Sequence, residues 1–92
     1  MKPLTRDGKM ASMAQFIIHH QHEPSECAAS VASWRGFSSP LRGVGTPSAC
    51  RFGDHETWWR VTAENEAGAF ALLPAFVARR AKVTRVDELK VP

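Results

Sequence analysis

Hydrophobic and polar positions alternate along the first apolar stretch of the chain, Gln15 to Gln21. In an extended backbone Phe16, Ile18 and His20 point to one side, and the residues between them point to the other. The first half of the stretch is apolar on both sides, which is typical of a strand in the centre of a sheet. We therefore predict a central strand here.

The residues before this strand are mostly polar or chain-breaking and show no periodic spacing. Such a segment cannot bury enough apolar surface to offset the entropy of ordering it. We predict a disordered tail over residues 1–13 and a single ordered domain over residues 14–92.

The spacing becomes helical after the strand. Pro24 suits the first position of a helix, where its missing N–H leaves no hydrogen bond unmade. Cys27, Val31 and Trp34 then recur on one helical face. Gly36 is a typical residue for the end of a helix. These positions predict a helix that begins at Pro24 and ends before Gly36.

A loop and a hairpin follow. Residues 37–48 are rich in Gly, Ser and Pro and predict a long loop. Residues 49–52 and 56–63 predict two short strands that are joined by a Gly-Asp-His turn. In the second of these strands Trp58 and Trp59 point to opposite faces.

The remaining chain predicts one helix and one strand. Phe70, Leu73 and Val77 follow helical spacing, but Pro74 cannot lie inside a regular helix. We expect the helix to break or kink at this proline. The last strand is predicted over residues 83–91.

The element order is therefore β-α-β-β-α-β, which is the ferredoxin-like pattern of an α+β domain. It predicts a four-stranded antiparallel sheet with both helices on one face. The other face carries Trp58 and half of the first strand's apolar residues. Because an exposed apolar face of this size usually marks an interface, we predict a homodimer that resembles a two-fold α/β barrel.

Composition narrows the classes of protein that fit. The 92 residues are 43% hydrophobic and 23% charged, with a net charge of +3 and two cysteines. No apolar stretch reaches the roughly 18 residues of a membrane helix, and no signal peptide is recognisable. Two cysteines cannot form the disulfide framework of a small secreted domain. We predict a cytoplasmic protein that binds neither membranes nor nucleic acid, since no aromatic residues interleave its basic positions.

Three segments resemble a known group of proteins. They are HQHEPSEC (residues 20–27), SPLR (residues 39–42) and GDHETWW (residues 53–59). The chain is similar over residues 14–89 to the small dimeric α/β-barrel superfamily, which includes muconolactone isomerase, and to short actinobacterial-type proteins with these motifs. The resemblance implies a dimeric α/β barrel and isomerase-like proton transfer. The superfamily also includes metal binders, so the fold alone does not decide the activity.

Histidines and cysteines form the first candidate site. His20 and His22 are two residues apart, so a strand places both imidazoles on one face. Cys27, Cys50 and His55 complete a mixed set of ligands that suits zinc, nickel or copper. Since His19 points to the opposite face, it is not counted with them.

The second candidate site is a cleft between the sheet, the helices and the loop of residues 37–48. We predict that His20, His22, Arg42 and Trp58 bind a small ligand there. His55, which is flanked by two carboxylates in the sequence, is the candidate general acid or base.

The two thiols have further readings. Cys27 and Cys50 are either buried structural thiols or a switchable disulfide. The start of a helix lowers the pKa of a thiol, so we expect Cys27 to be the more ionised of the two.

Three functions therefore stay open. The first is a small-ligand protein with proton-transfer chemistry. The second is a metal-binding or metal-responsive protein. The third is a structural or regulatory dimer without a ligand.

Overall fold

The computed structural model describes residues 13–92, so the predicted tail, apart from Met13, lies outside the described residues. The strands are β1 (Ala14–Gln21), β2 (Glu56–Ala63) and β3 (Ala81–Val86), and the helices are α1 (Cys27–Ala32), α2 (Glu66–Phe70) and α3 (Ala75–Ala78). Two 3₁₀ turns cover Pro24–Glu26 and Cys50–Phe52. The longest of these helices has six residues, and none in the described chain could cross a lipid bilayer.

The three strands form one antiparallel sheet in the order β2-β1-β3. The prediction of a central first strand is confirmed, because β1 pairs with β2 along its whole length and with β3 along most of it. In this register His19 lies opposite Trp58 on one side and Lys82 on the other. β2 has the predicted bounds, Glu56–Ala63.

The predicted four-stranded sheet is wrong. Residues 49–52, the expected second strand, contain the 3₁₀ turn Cys50–Phe52. The segment that precedes Cys50 pairs with β2 at one isolated bridge, between Ser48 and Thr57. Pro47 accepts a hydrogen bond from Trp58 N but has no N–H with which to extend a ladder. The ferredoxin-like sheet on which the predicted two-fold barrel depended is therefore incomplete, and the homodimer stays a prediction.

The predicted break at Pro74 is confirmed. This proline is the N-cap of α3 and separates it from α2. The last strand begins and ends earlier than predicted, at Ala81 and Val86. Its pairing with β1 begins at Ala81, opposite His20, and ends at Val86, opposite Gln15.

One face of the sheet is covered by the helices and carries the core. The buried side chains alternate along β1 and β2 and are joined by residues of α2, α3, the link between them, and β3; they are Ala14, Phe16, Ile18, Val61, Ala63, Ala69, Leu73, Val77 and Val83. Trp34, Leu41 and Trp59 pack at the edge of this core. His20 continues the buried side of β1 beyond Ile18 and is 1% exposed. The apolar row of β1 thus ends in an imidazole, beside which the candidate site lies.

Candidate metal centre

Four side chains meet at the end of the sheet where β1 finishes and β2 begins. His22 follows β1, and His55 immediately precedes β2. Cys27 is the first residue of α1, and Cys50 is the first residue of the second 3₁₀ turn. One ligand atom from each of the four lies within 4.8 Å of the other three.

Backbone hydrogen bonds bring these segments together. His22 N donates to His55 O at 3.0 Å, which continues the β1–β2 pairing one step past Gln21 and Glu56. Ala49 N donates to Glu56 O at 2.9 Å and so holds the residue before Cys50 against the start of β2. The two histidines are therefore adjacent across the strands, and Cys50 is held near them.

Three of the distances between the four side chains are close to the spacing of ligands around a tetrahedral ion. His22 Nε2 lies 3.3 Å from Cys27 Sγ and 3.8 Å from Cys50 Sγ, and Cys27 Sγ lies 3.0 Å from His55 Nδ1. Zinc bonds of about 2.3 Å to sulfur and about 2.05 Å to nitrogen place a sulfur and a nitrogen about 3.5 Å apart. The observed distances lie on both sides of this value, so small side-chain movements would suffice to enclose an ion.

His20 orients His22 but is not one of the four. Its Nδ1 lies 3.3 Å from Val77 O, and because a carbonyl oxygen only accepts, this nitrogen carries the proton. His20 Nε2 is then free to accept a hydrogen bond from His22 Nδ1 at 2.9 Å. This leaves the lone pair of His22 Nε2 directed at the cysteines, which is the tautomer that a metal ligand requires.

Ser30, which lies in α1, also contacts His20. Its hydroxyl lies 3.2 Å from His20 Nε2, and the residue is 6% exposed. Ser30 was not among the residues predicted from the sequence. Its only signal was a small polar residue one helical turn after Cys27, a pattern that is too common to identify a site.

Burial disfavours the charged form of His20 and of His22. The pKa of His20 lies below 6.5, first because burial penalises its charged form and then because of His22. The pKa of His22 is also lowered, by burial and by His55. A neutral imidazole is the form that binds a metal ion.

The predicted pKa shift of Cys27 has the wrong direction. Burial, followed by the neighbouring Cys50, raises the pKa of the Cys27 thiol above its usual value of 9.0. α1 has only six residues and is preceded by a 3₁₀ turn, so its dipole does not outweigh the loss of water. Both cysteines are free thiols.

An ion pair fixes the turn that carries Cys27. Arg80 donates to the Glu26 carboxylate through two nitrogens, at 2.8 and 3.2 Å. The same carboxylate accepts from Glu23 N at 2.9 Å, and these bonds lower the pKa of Glu26 to about 2. Arg80 also lies over the Phe76 ring, 3.7 Å from its centroid. These contacts connect the start of α1 to the end of α3.

The residues predicted to bind a small ligand lie in three separate places. His20 and His22 belong to the cluster described above. Trp58 lies on the opposite face of the sheet and stacks on His19, with ring centroids 5.3 Å apart and an interplanar angle of 12°. Arg42 lies in the loop, where its Nη1 donates to Phe37 O at 3.3 Å.

His55 was predicted to act as a general acid or base assisted by its neighbours. The Glu56 carboxylate instead contacts His19 Nε2 at 2.6 Å, on the outer face of the sheet. The nearest side-chain partner of His55 is the Cys27 thiol. Its catalytic role stays a prediction.

A groove of about 280 Å³ lies between α1 and the loop of residues 37–48. The indole rings of Trp34 and Trp59, whose centroids are 5.8 Å apart, line it together with Leu41 and Val44. Arg42 is also part of its lining. The groove and the metal cluster share two segments of chain, since α1 begins at Cys27 and the loop leads to Cys50.

The structure thus brings together four of the five residues predicted as metal ligands and places the fifth, His20, directly behind them. The similarity to muconolactone isomerase stays a prediction. Comparison of the chain with family models, with curated proteins and with solved structures gave no match.

Proposed function

We propose that this chain is a metal-binding protein whose cluster of His22, Cys27, Cys50 and His55 holds one divalent ion. The observation that supports this most directly is the mutual approach of four good ligand atoms from four separate segments. Two of them are imidazole nitrogens, which bind a metal ion in their neutral form, and the others are thiols that lose their protons when they bind a metal.

Zinc is the ion that this ligand set favours. Two thiolates and two imidazoles form a common zinc site, and four protein ligands leave no open position for a reactive water molecule. The ion therefore has a structural role. It joins the 3₁₀ turn at Cys50 to the end of β1 and the start of α1.

The test is metal analysis of protein that is purified without an affinity tag, because added histidines would bind metal themselves. We expect about one zinc ion per chain in the wild type and none in His22→Ala. His19→Ala is the matched control, since it removes the neighbouring imidazole from the opposite face of the sheet. Full zinc content in His22→Ala, or no metal in the wild type, would refute the proposal. Nickel or copper in place of zinc would keep the site and change its ion.

The groove supports a second function, the binding of a small apolar carboxylate. Its walls are apolar and aromatic, and among the described residues no carboxylate forms an ion pair with Arg42. An apolar body with one negative charge complements this surface.

This second function is tested by titrating the protein with hexanoate, hexylamine and hexanol while the tryptophan fluorescence is recorded. We expect hexanoate to bind most tightly and Arg42→Gln to weaken it about tenfold, with little change for hexanol. Arg35→Gln is the matched control, because Arg35 is an exposed arginine that does not line the groove. Equal binding of the three probes would exclude a carboxylate site.

A further inference from the structure

The two cysteines of the cluster are close enough to react with each other. Their sulfur atoms lie within 4.8 Å, and both are free thiols that are only partly buried. They also supply both thiolates of the proposed metal site. The same pair of sulfur atoms can therefore either bind the ion or bond to each other, but not both, since a disulfide sulfur is a poor metal ligand.

The turn that carries Cys50 is more exposed than the segment that carries Cys27. Cys27 begins α1 and is held through the neighbouring Glu26–Arg80 ion pair. Cys50 begins a single 3₁₀ turn whose Phe52 side chain is 82% exposed. The Phe52 side chain therefore does not hold this turn in place, and the Ala49–Glu56 backbone bond lies on the far side of Cys50 from it.

We propose that a hydroperoxide oxidises Cys27 and Cys50 to a disulfide and thereby releases the metal ion. This inference rests on the proposed function, because it concerns regulation of the same site. After oxidation only His22 and His55 remain as ligands. Two ligands hold zinc far more weakly than four.

The reaction balances with hydrogen peroxide as the oxidant. One thiolate attacks a peroxide oxygen, the O–O bond breaks, and uptake of one proton gives a sulfenic acid and water. The second thiolate then attacks the sulfenic sulfur, and the S–S bond forms as hydroxide leaves and takes up a proton. In total two thiolates lose two electrons, one peroxide and two protons become two water molecules, and the zinc ion leaves without a change of charge. A dithiol reverses the step by reducing the disulfide.

The experiment treats zinc-loaded, untagged protein with hydrogen peroxide and follows the released zinc with a chromogenic chelator. Zinc content is measured first, so that the proposed function is tested before any oxidant is added. We expect zinc release to parallel the loss of two hydrogens per chain by mass spectrometry, and a proteolytic digest to contain a Cys27–Cys50 peptide pair. Dithiothreitol and added zinc should then restore the loaded protein.

Cys50→His is the matched variant, because it keeps four ligands but has no second thiol. We expect it to release zinc about tenfold more slowly than the wild type at the same peroxide concentration. Cys27→His makes the same comparison from the other side if the first variant fails to fold.

The outcomes separate the two proposals. A wild-type protein without metal overturns both of them. A zinc-loaded wild type that keeps its zinc under peroxide overturns only the redox inference. Release without the Cys27–Cys50 peptide, or release at the same rate from a histidine variant that binds zinc, also overturns it.

Discussion

β1 carries a histidine on each of its two faces, and the two histidines have different surroundings. On the inner face His20 is buried, contacts Val77 and Ser30, and orients His22 toward two cysteines. On the outer face His19 stacks on Trp58 and contacts Glu56, with a third of its side chain exposed. His19 and His20 thus have different partners, because successive side chains of a strand point to opposite faces.

The comparison shows that burial and partners decide what a histidine can do. Loss of water lowers the pKa of the inner histidines, His20 and His22, and so favours the neutral form of His22 that a metal ligand must have. The outer histidine has a carboxylate and water to interact with.

Removal of the metal should have the largest effect. An ion at a thousand times its dissociation constant stabilises the folded chain by about 4 kcal/mol. In a domain of this size, chelation should therefore lower Tm by about 15–30 °C in differential scanning calorimetry. The double variant Cys27→Ser, Cys50→Ser is the control, and its Tm should not respond to the chelator. A wild-type Tm that is unchanged by complete zinc removal would show that the inner face does not depend on an ion.

Loss of the orienting histidine should weaken metal binding without removing a ligand. His20→Leu fills a similar volume but cannot fix the tautomer of His22, so zinc affinity should fall about 10- to 100-fold. The charge-transfer bands of the cobalt-loaded variant should keep the signature of two thiolates, which distinguishes misorientation from loss of the site. His19→Leu on the outer face should leave the affinity unchanged. Equal losses in both variants would mean that the effect is a general one on the strand.

The stability of the metal-free protein should fall in mild acid. The folded-state pKa values of His20 and His22 are below 6.5, so below that pH the unfolded chain binds protons that the folded chain does not. The contribution of these histidines to the free energy of unfolding is therefore fully present above pH 6.5. It decreases as the pH falls, by up to about 1.4 kcal/mol per pH unit for each histidine. Urea unfolding at several pH values from 7.5 to 5 measures this slope, which should be smaller in His20→Leu. An equal slope in that variant would assign the proton uptake to other groups.

Changes on the outer face should have the smallest effect. His19→Gln removes the contact with Glu56, but partly exposed ion pairs contribute little, so the free energy of unfolding should fall by less than about 1 kcal/mol. Chemical denaturation measures this change, and metal analysis should find the zinc content of the wild type. A lower zinc content would show that the two faces are coupled through β1.

Much of the local structure follows from residue pattern alone. The alternation in β1 and β2, the break at Pro74 and the separation of His19 from His20 all depend on backbone periodicity or on proline chemistry, which neighbours in the sequence reveal. The prediction of a strand over residues 49–52 was wrong. These residues have strand-like character, but Pro47 and the 3₁₀ turn at Cys50 prevent a ladder with β2. Whether a short segment joins a sheet depends on the hydrogen bonds available beside it.

For the candidate site, the sequence by itself determined which residue types were available and which face of β1 each histidine occupies. Only the tertiary structure decided that His20 supports the cluster while His55 and Cys50 belong to it, because these roles depend on Val77 and Ser30 and on segments that meet across the strands. It also decided the pKa direction of Cys27, where burial outweighs the start of a short helix. The geometry of the ligands and the burial of their side chains arise from contacts between distant parts of the chain. Neither can therefore be predicted from residues that are neighbours in the sequence.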